Sequence, residues 1–189
     1  MKHATSRMLF AYWDAARGER ASPERSEIEP GAIRHILADT FILEIGANGT
    51  AEFRLAGTRV CALFGRELKG QSFERLWPAH AGQEVCHSVE VVMDEAAGLV
   101  MGHVGATLEG LTINLEMLLL PLRYRGRTHA LALGALSPMT IPAWFGLYPV
   151  SFLNMVSQRV IRTSWAPPSV HEKPAEQQRR FVVHHGGRA

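Results

Sequence analysis

At 189 residues, 47% of them apolar, the chain is long enough to bury a core in one domain with residues left over for terminal additions. Lys and Arg total 20 against 18 Asp and Glu, a formal charge of +2 that is too small to draw in nucleic acid or anionic lipid, so neither nucleic acid nor a membrane is expected as a partner. No apolar run approaches the ~20 residues that span a bilayer. Asp14 and Arg17 interrupt the first segment where a secretory signal would continue, so a cytoplasmic location is expected. Cys61 and Cys86, without metal-type spacing, read as buried thiols in a reducing compartment.

From Ser6 to Arg17 the apolar residues Leu9, Tyr12, Trp13 and Ala16 recur at helical spacing, and Gly18 is placed to close the helix. Ser22 before Pro23 reads as a helix cap, and a further short helix after Pro30 presents Ile33, Ile36 and Leu37. Residues 1–40 thus form a helical cap. Phe41, Leu43 and Ile45 alternate with Ile42 and Glu44, and an Asn-Gly turn at 48–49 leads to a strand over 51–56, which makes a hairpin.

The stretch from Phe53 to Trp77, FRLAGTRVCALFGRELKGQSFERLW, passes from strand through a turn at Gly57 into a short apolar helix ended by Gly65. A second turn at Gly70 leads to Ser72, which caps one more helical turn carrying Phe73, Leu76 and Trp77 before Pro78. A helix over about 81–97 follows, with Val85, Cys86, Val89, Val92, Met93 and Ala96 on one face and His87 opposite. Three strands are expected over 99–108, 111–122 and 129–136. In the second, polar alternation fades after Glu116, which predicts a strand covered on both faces toward its end. Residues 138–165 read as a connector and an amphipathic helix over 150–163 with Val150, Leu153, Val156 and Val160 in a stripe. Residues 166–189 are polar and predicted disordered apart from an apolar patch at 181–183; His184-His185 in that tail reads as a solvated pair.

The wording RLAGTRVCALFGREL followed by LW, with two strands, a helical crossover and three strands, resembles the PAS domain, and closely a family of single-PAS-domain proteins of alphaproteobacteria once grouped as a domain of unknown function. The resemblance implies an α+β fold: a five-stranded antiparallel sheet over 41–137 with helices over one face, to which the N-terminal and C-terminal helices are added. It also implies a sensory or regulatory module acting through protein contacts.

A PAS cleft between sheet and helices holds a flavin, a haem, a metabolite or nothing. The residues expected to line it here are Cys61, Phe64, Trp77, Val89, His103, Asn114 and Leu115. The photoreceptor motif Asn-Cys-Arg-Phe-Leu-Gln has its counterpart in Arg59-Val60-Cys61-Ala62-Leu63-Phe64, which lacks the Asn, the Arg after Cys and the Gln, so no flavin adduct is expected. Haem needs an axial His facing the cleft; His87 faces away and His80 and His103 remain candidates, but a lone His among apolar neighbours is more often a hydrogen-bonded core residue than a ligand, so haem is not expected either. Asn114 and Thr112 read equally as cleft residues or as solvent-facing positions, Trp77 and Trp144 as packing anchors, and Arg59 as a partner for a carboxylate such as Glu67. No metal cluster is expected.

No nucleophile beside a base, paired carboxylates or phosphate loop appears, so the chain is not expected to be an enzyme; the enzyme alternative is an isomerase- or hydratase-like cavity with one buried polar group. With no effector segment evident, output is expected through an unidentified signalling protein or a homodimer, with Leu9, Tyr12, Trp13, Val150 and Leu153 as its surface. The alternative is that the terminal helices cover the outer sheet face of a single chain.

Overall fold

The computed structural model describes residues 1–46 and 50–162. The expected Asn-Gly turn, the tail patch and the paired histidines lie outside the described residues. Helix α1 (Ala4–Arg17) opens the chain, and three short 3-10 turns lead to strands β1 (Thr40–Ile45) and β2 (Ala51–Ala56). Helix α2 (Thr58–Phe64), a 3-10 turn over Phe73–Leu76 and helix α3 (Ala79–Asp94) make the crossover. Strands β3 (Gly98–Thr107), β4 (Thr112–Tyr124), β5 (Arg127–Pro138) and β6 (Val150–Ile161) complete it. All pairings are antiparallel, and the sheet order is β2-β1-β5-β4-β3-β6.

The sheet therefore has six strands where five were expected. The α+β architecture and the pairing of the first strand with the fifth are as expected. The extra strand replaces the helix expected over 150–163. Val150 and Leu153 sit three apart as on a helix because β6 is bulged. Thr107 faces Val150 and Ala106 faces Phe152, so Ser151 is an extra residue; Gly102 faces Ser157 and His103 faces Met155, so Val156 is another. Each bulge adds one to the period of two and turns it locally into a spacing of three.

Residues of β4 alternate between two buried layers. Ile113, Leu115, Met117 and Leu119 join the layer under α2 and α3, whereas Leu118, Leu120 and Leu122 join a layer on the opposite, outer face. The outer layer is closed by α1 and the 3-10 turns through Leu9, Trp13, Ile28, Ile33 and Ile36. Trp13 is fully buried, and its indole N–H donates to the Pro121 carbonyl at 2.8 Å. Glu116, buried on the same face, accepts the backbone N–H groups of Lys2 and His3 at 2.6 and 2.9 Å and so pins the start of α1.

This packing corrects the assignment of a dimer surface. Leu9, Trp13, Val150 and Leu153 are buried within the chain itself, because the outer face and the β3 edge each need a cover and α1 and β6 supply it. Tyr12 alone of the five is partly exposed, and its hydroxyl donates to the Glu27 carbonyl and accepts from the Glu29 N–H.

One contact makes a sharp test of the register. Phe41 lies opposite Gly134, where a Cβ would come within 2.2 Å of the phenyl ring. The ring is fully buried beside Phe53 and Phe73 and cannot retreat. Gly134→Ala is expected to lower stability by about 1–3 kcal/mol, the usual cost of overpacking. Urea unfolding measures this, and an unchanged midpoint would show that the ring does not lie over the glycine.

Candidate functional site

Two backbone hydrogen bonds fix the link after α2 against β2. Gly70 N–H donates to the Phe53 carbonyl at 2.7 Å, and Phe53 N–H donates to the Gln71 carbonyl at 2.9 Å. That clamp drops Phe73 across Phe53 and begins a run of aromatic contacts. Ring centroids are 5.6 Å apart for Phe53 and Phe73, 4.8 Å for Phe73 and Trp77, and 5.6 Å for Trp77 and His103. Edge-to-face geometry at the first two steps is the arrangement that ring quadrupoles favour.

The run ends at three polar atoms. His103 stands on the inner face of β3, with Leu115 and Met155 as its register partners, and is 2% exposed. Neither ring nitrogen of His103 has a hydrogen-bond partner, and nor does the indole nitrogen of Trp77. Burial pushes the His103 pKa down to about 4, so the imidazole is neutral at pH 7 and offers one donor and one acceptor beside the indole donor. Unsatisfied buried groups of this kind cost about 1–3 kcal/mol each. A small polar group that reached these nitrogens would recover that cost.

Trp77 also lines a groove of about 750 Å³ that opens to solvent between the end of α2, the start of α3 and the start of β6. Phe64, Arg66, Arg75 and Phe152 are among its other walls. Neither arginine has an ion pair among the described residues. Their part in the groove carries no signal in the sequence, because it depends on where β6 lies.

Of the residues expected in the cleft, Phe64, Trp77, Val89 and Leu115 share one buried cluster, and His103 touches it through Trp77. Cys61 stands at the margin, its Sγ 3.6 Å from a Glu67 carboxylate oxygen; burial first, and that carboxylate next, push the thiol up. Cys86 on α3 is pushed up to about 11 by burial and the charges of Glu74 and Glu90. Both thiols are therefore protonated and unreactive at neutral pH. Asn114 is a correction. It pairs with Val104, faces the outer side of the sheet and is exposed, as is Thr112, because the period of two sends even-numbered residues of β4 away from the cleft. His80 and His87 are exposed. Arg59 pairs with the buried Asp39, not with Glu67. Among the described residues no group of three His, Cys, Asp or Glu is placed to hold a metal ion.

The buried imidazole generates a pH dependence with a definite sign. Its pKa is about 4 in the folded chain against 6.5 for an unperturbed His, so the unfolded chain takes up the proton first as pH falls. Stability is expected to fall from pH 6.5 toward pH 4 and level off below, by about 3 kcal/mol in all. His103→Leu should remove this component, so that the variant loses about 2 kcal/mol less than the native chain between pH 7 and pH 4.5. Equal losses in chemical denaturation at the two pH values would show that His103 is not held neutral.

No curated protein matches this sequence. Among solved structures, the chain is similar to the PAS domain of an HTR-like protein from Haloarcula marismortui, with 16% identity over 58% of this chain and 90% of that one and a TM-score of 0.42. It is also similar to the PAS domain of a protein from Colwellia psychrerythraea, with 15% identity over 59% of this chain and 98% of that one and a TM-score of 0.43. The profile of the PAS domain family matches residues 1–137, which takes in α1 as well as β1 to β5, and the chain therefore belongs to the PAS domain family.

Proposed function

We propose that this chain is a regulatory PAS module in which a small molecule with a polar group is sensed at Trp77 and His103 and the response passes to another protein chain by contact. The observation that carries the reading is the set of three unpartnered buried nitrogens at the end of the aromatic run, beside a groove through which a ligand could approach. A donor and acceptor pair in an apolar wall selects a ligand by hydrogen bonding, and the surrounding Val89, Leu115 and Met155 supply its apolar contact. No charged group lies among these residues, so a neutral ligand with both donor and acceptor atoms fits best.

Exposed apolar side chains support the contact half of the proposal. Leu108 is 86% exposed, Leu147 74% and Val156 69%, and Phe152 and Tyr148 are exposed as well, all on β6 or in the segments beside its start. Exposed large apolar side chains along one edge strand support an interaction surface there. A second copy of the chain is its simplest partner, and a signalling protein the other.

Native mass spectrometry of the protein purified without additions tests both halves. Retained extra mass is expected in the native chain and is expected to be lost in His103→Leu, whose far-ultraviolet circular dichroism should be unchanged. Extra mass retained equally by the variant would remove His103 from the site. The same spectra should show a dimer that Leu147→Asp with Val156→Asp converts to monomer, and an unaltered mass distribution in that double variant would rule out this surface.

A further inference from the structure

The outer face of the sheet carries a second concavity that the sensory reading does not use. A pocket of about 350 Å³ lies over β1, β2 and β5, on the side of the sheet opposite His103. Its floor is Ile42, Leu55 and Leu133, three neighbours across paired strands, and its wall is Ile28, Pro30 and Ile33 from the 3-10 turns. The pocket is closed at one end where Gly57 packs so tightly on the backbone of Leu37 and Ala38 that a Cβ there would approach the Leu37 carbonyl within 2.3 Å. Leu55, on the outermost strand of the sheet, is 47% exposed.

A single cation serves this apolar space. Arg25 lines it, and no Asp or Glu does. One Arg25 nitrogen donates to the Ile28 carbonyl at 3.3 Å, and among the described residues the guanidinium has no carboxylate partner. The acidic residues next to it in sequence are engaged elsewhere: Glu24 faces Arg123 at 3.5 Å, and Glu27 faces Arg20 at 2.9 Å. The arginine thus keeps donors free for an anion at the edge of an otherwise apolar pocket. At about 30 Å³ for each water-sized unit, the volume holds roughly a dozen non-hydrogen atoms, near the lower bound for small-molecule pockets.

We propose that this pocket binds a small monocarboxylate with an aliphatic body, the chain lying on Ile42, Leu55 and Leu133 and the carboxylate meeting Arg25. Apolar surface and one charge-assisted hydrogen-bonding group are what such an amphipathic anion requires, and both occur here within one cavity. The site is independent of the Trp77 and His103 cleft, since the full thickness of the sheet separates them.

The test is methyl NMR of the full chain titrated with octanoate, a probe of ten non-hydrogen atoms, about the number the pocket holds. Saturable shifts are expected at the methyl groups of Ile33, Ile42 and Leu133, with those of Val89 and Leu115 unmoved. Arg25→Gln is expected to weaken octanoate at least tenfold while leaving 1-octanol, which lacks the charge, unaffected. Absence of saturable shifts at Ile33, Ile42 and Leu133 would overturn the proposal, and so would equal octanoate affinity in Arg25→Gln. Shifts confined to Val89 and Leu115 would also overturn it by placing the anion on the other side of the sheet, whereas the absence of shifts at Val89 and Leu115 leaves the cleft reading untouched, so the two sites fail separately.

Discussion

The structure depends on one constraint: the central strands are apolar on both faces. From Met117 to Leu122 every side chain of β4 is buried, and Leu131 to Leu136 of β5 are buried as well. A sheet of this kind cannot present either face to water, so the chain must supply two covers. The crossover helices provide one. Helix α1 and the 3-10 turns provide the other, and that requirement explains why Trp13 and the Glu116 carboxylate, which hold α1 in place, are buried on the outer side. The N-terminal helix belongs to the domain and is not an appendage to it.

Within the inner layer the same demand for apolar burial makes the Trp77 and His103 pair conspicuous. Three nitrogens without partners in a layer otherwise built of Leu, Met, Val and Phe oppose the stability that the layer supplies. The register of β3 against β4 and β6 leaves the ring nowhere else to go, because turning His103 outward would carry Met101 and Leu99 with it. That cost, at a position the register fixes, is what the proposed ligand site rests on.

Much of this was legible in the sequence because it followed from local rules. The period of two in β1 to β5, the short apolar helix between Gly57 and Gly65, and the stripe Val85, Val89 and Met93 on α3 all stand where the residues placed them. Of the residues expected to line a cleft, His103 and Leu115 lie on the inner face of β3 and β4 and Asn114 on the outer, since its place on β4 left both faces open until the register was known. The pocket beside Arg25 was invisible in principle. It joins residues from β1, β2, β5 and the 3-10 turns that are far apart in the chain, and only the packing of Gly57 on Leu37 closes it.

Strand β6 shows how a misleading pattern and a structural device have one cause. Its bulges at Ser151 and Val156 give the apolar residues a helix-like spacing, and they also kink an edge strand that would otherwise offer twelve residues of open backbone. The second half of the strand is tied to α3 by Ser88 with Gln158, and just past the ends of both elements Arg162 donates to Glu95. A bulged and tethered edge resists extension by another strand. The apolar side chains that β6 leaves exposed, Phe152, Val156 and Val160, therefore offer side-chain packing in place of open backbone, and packing of that kind can loosen and re-form without remodelling the sheet.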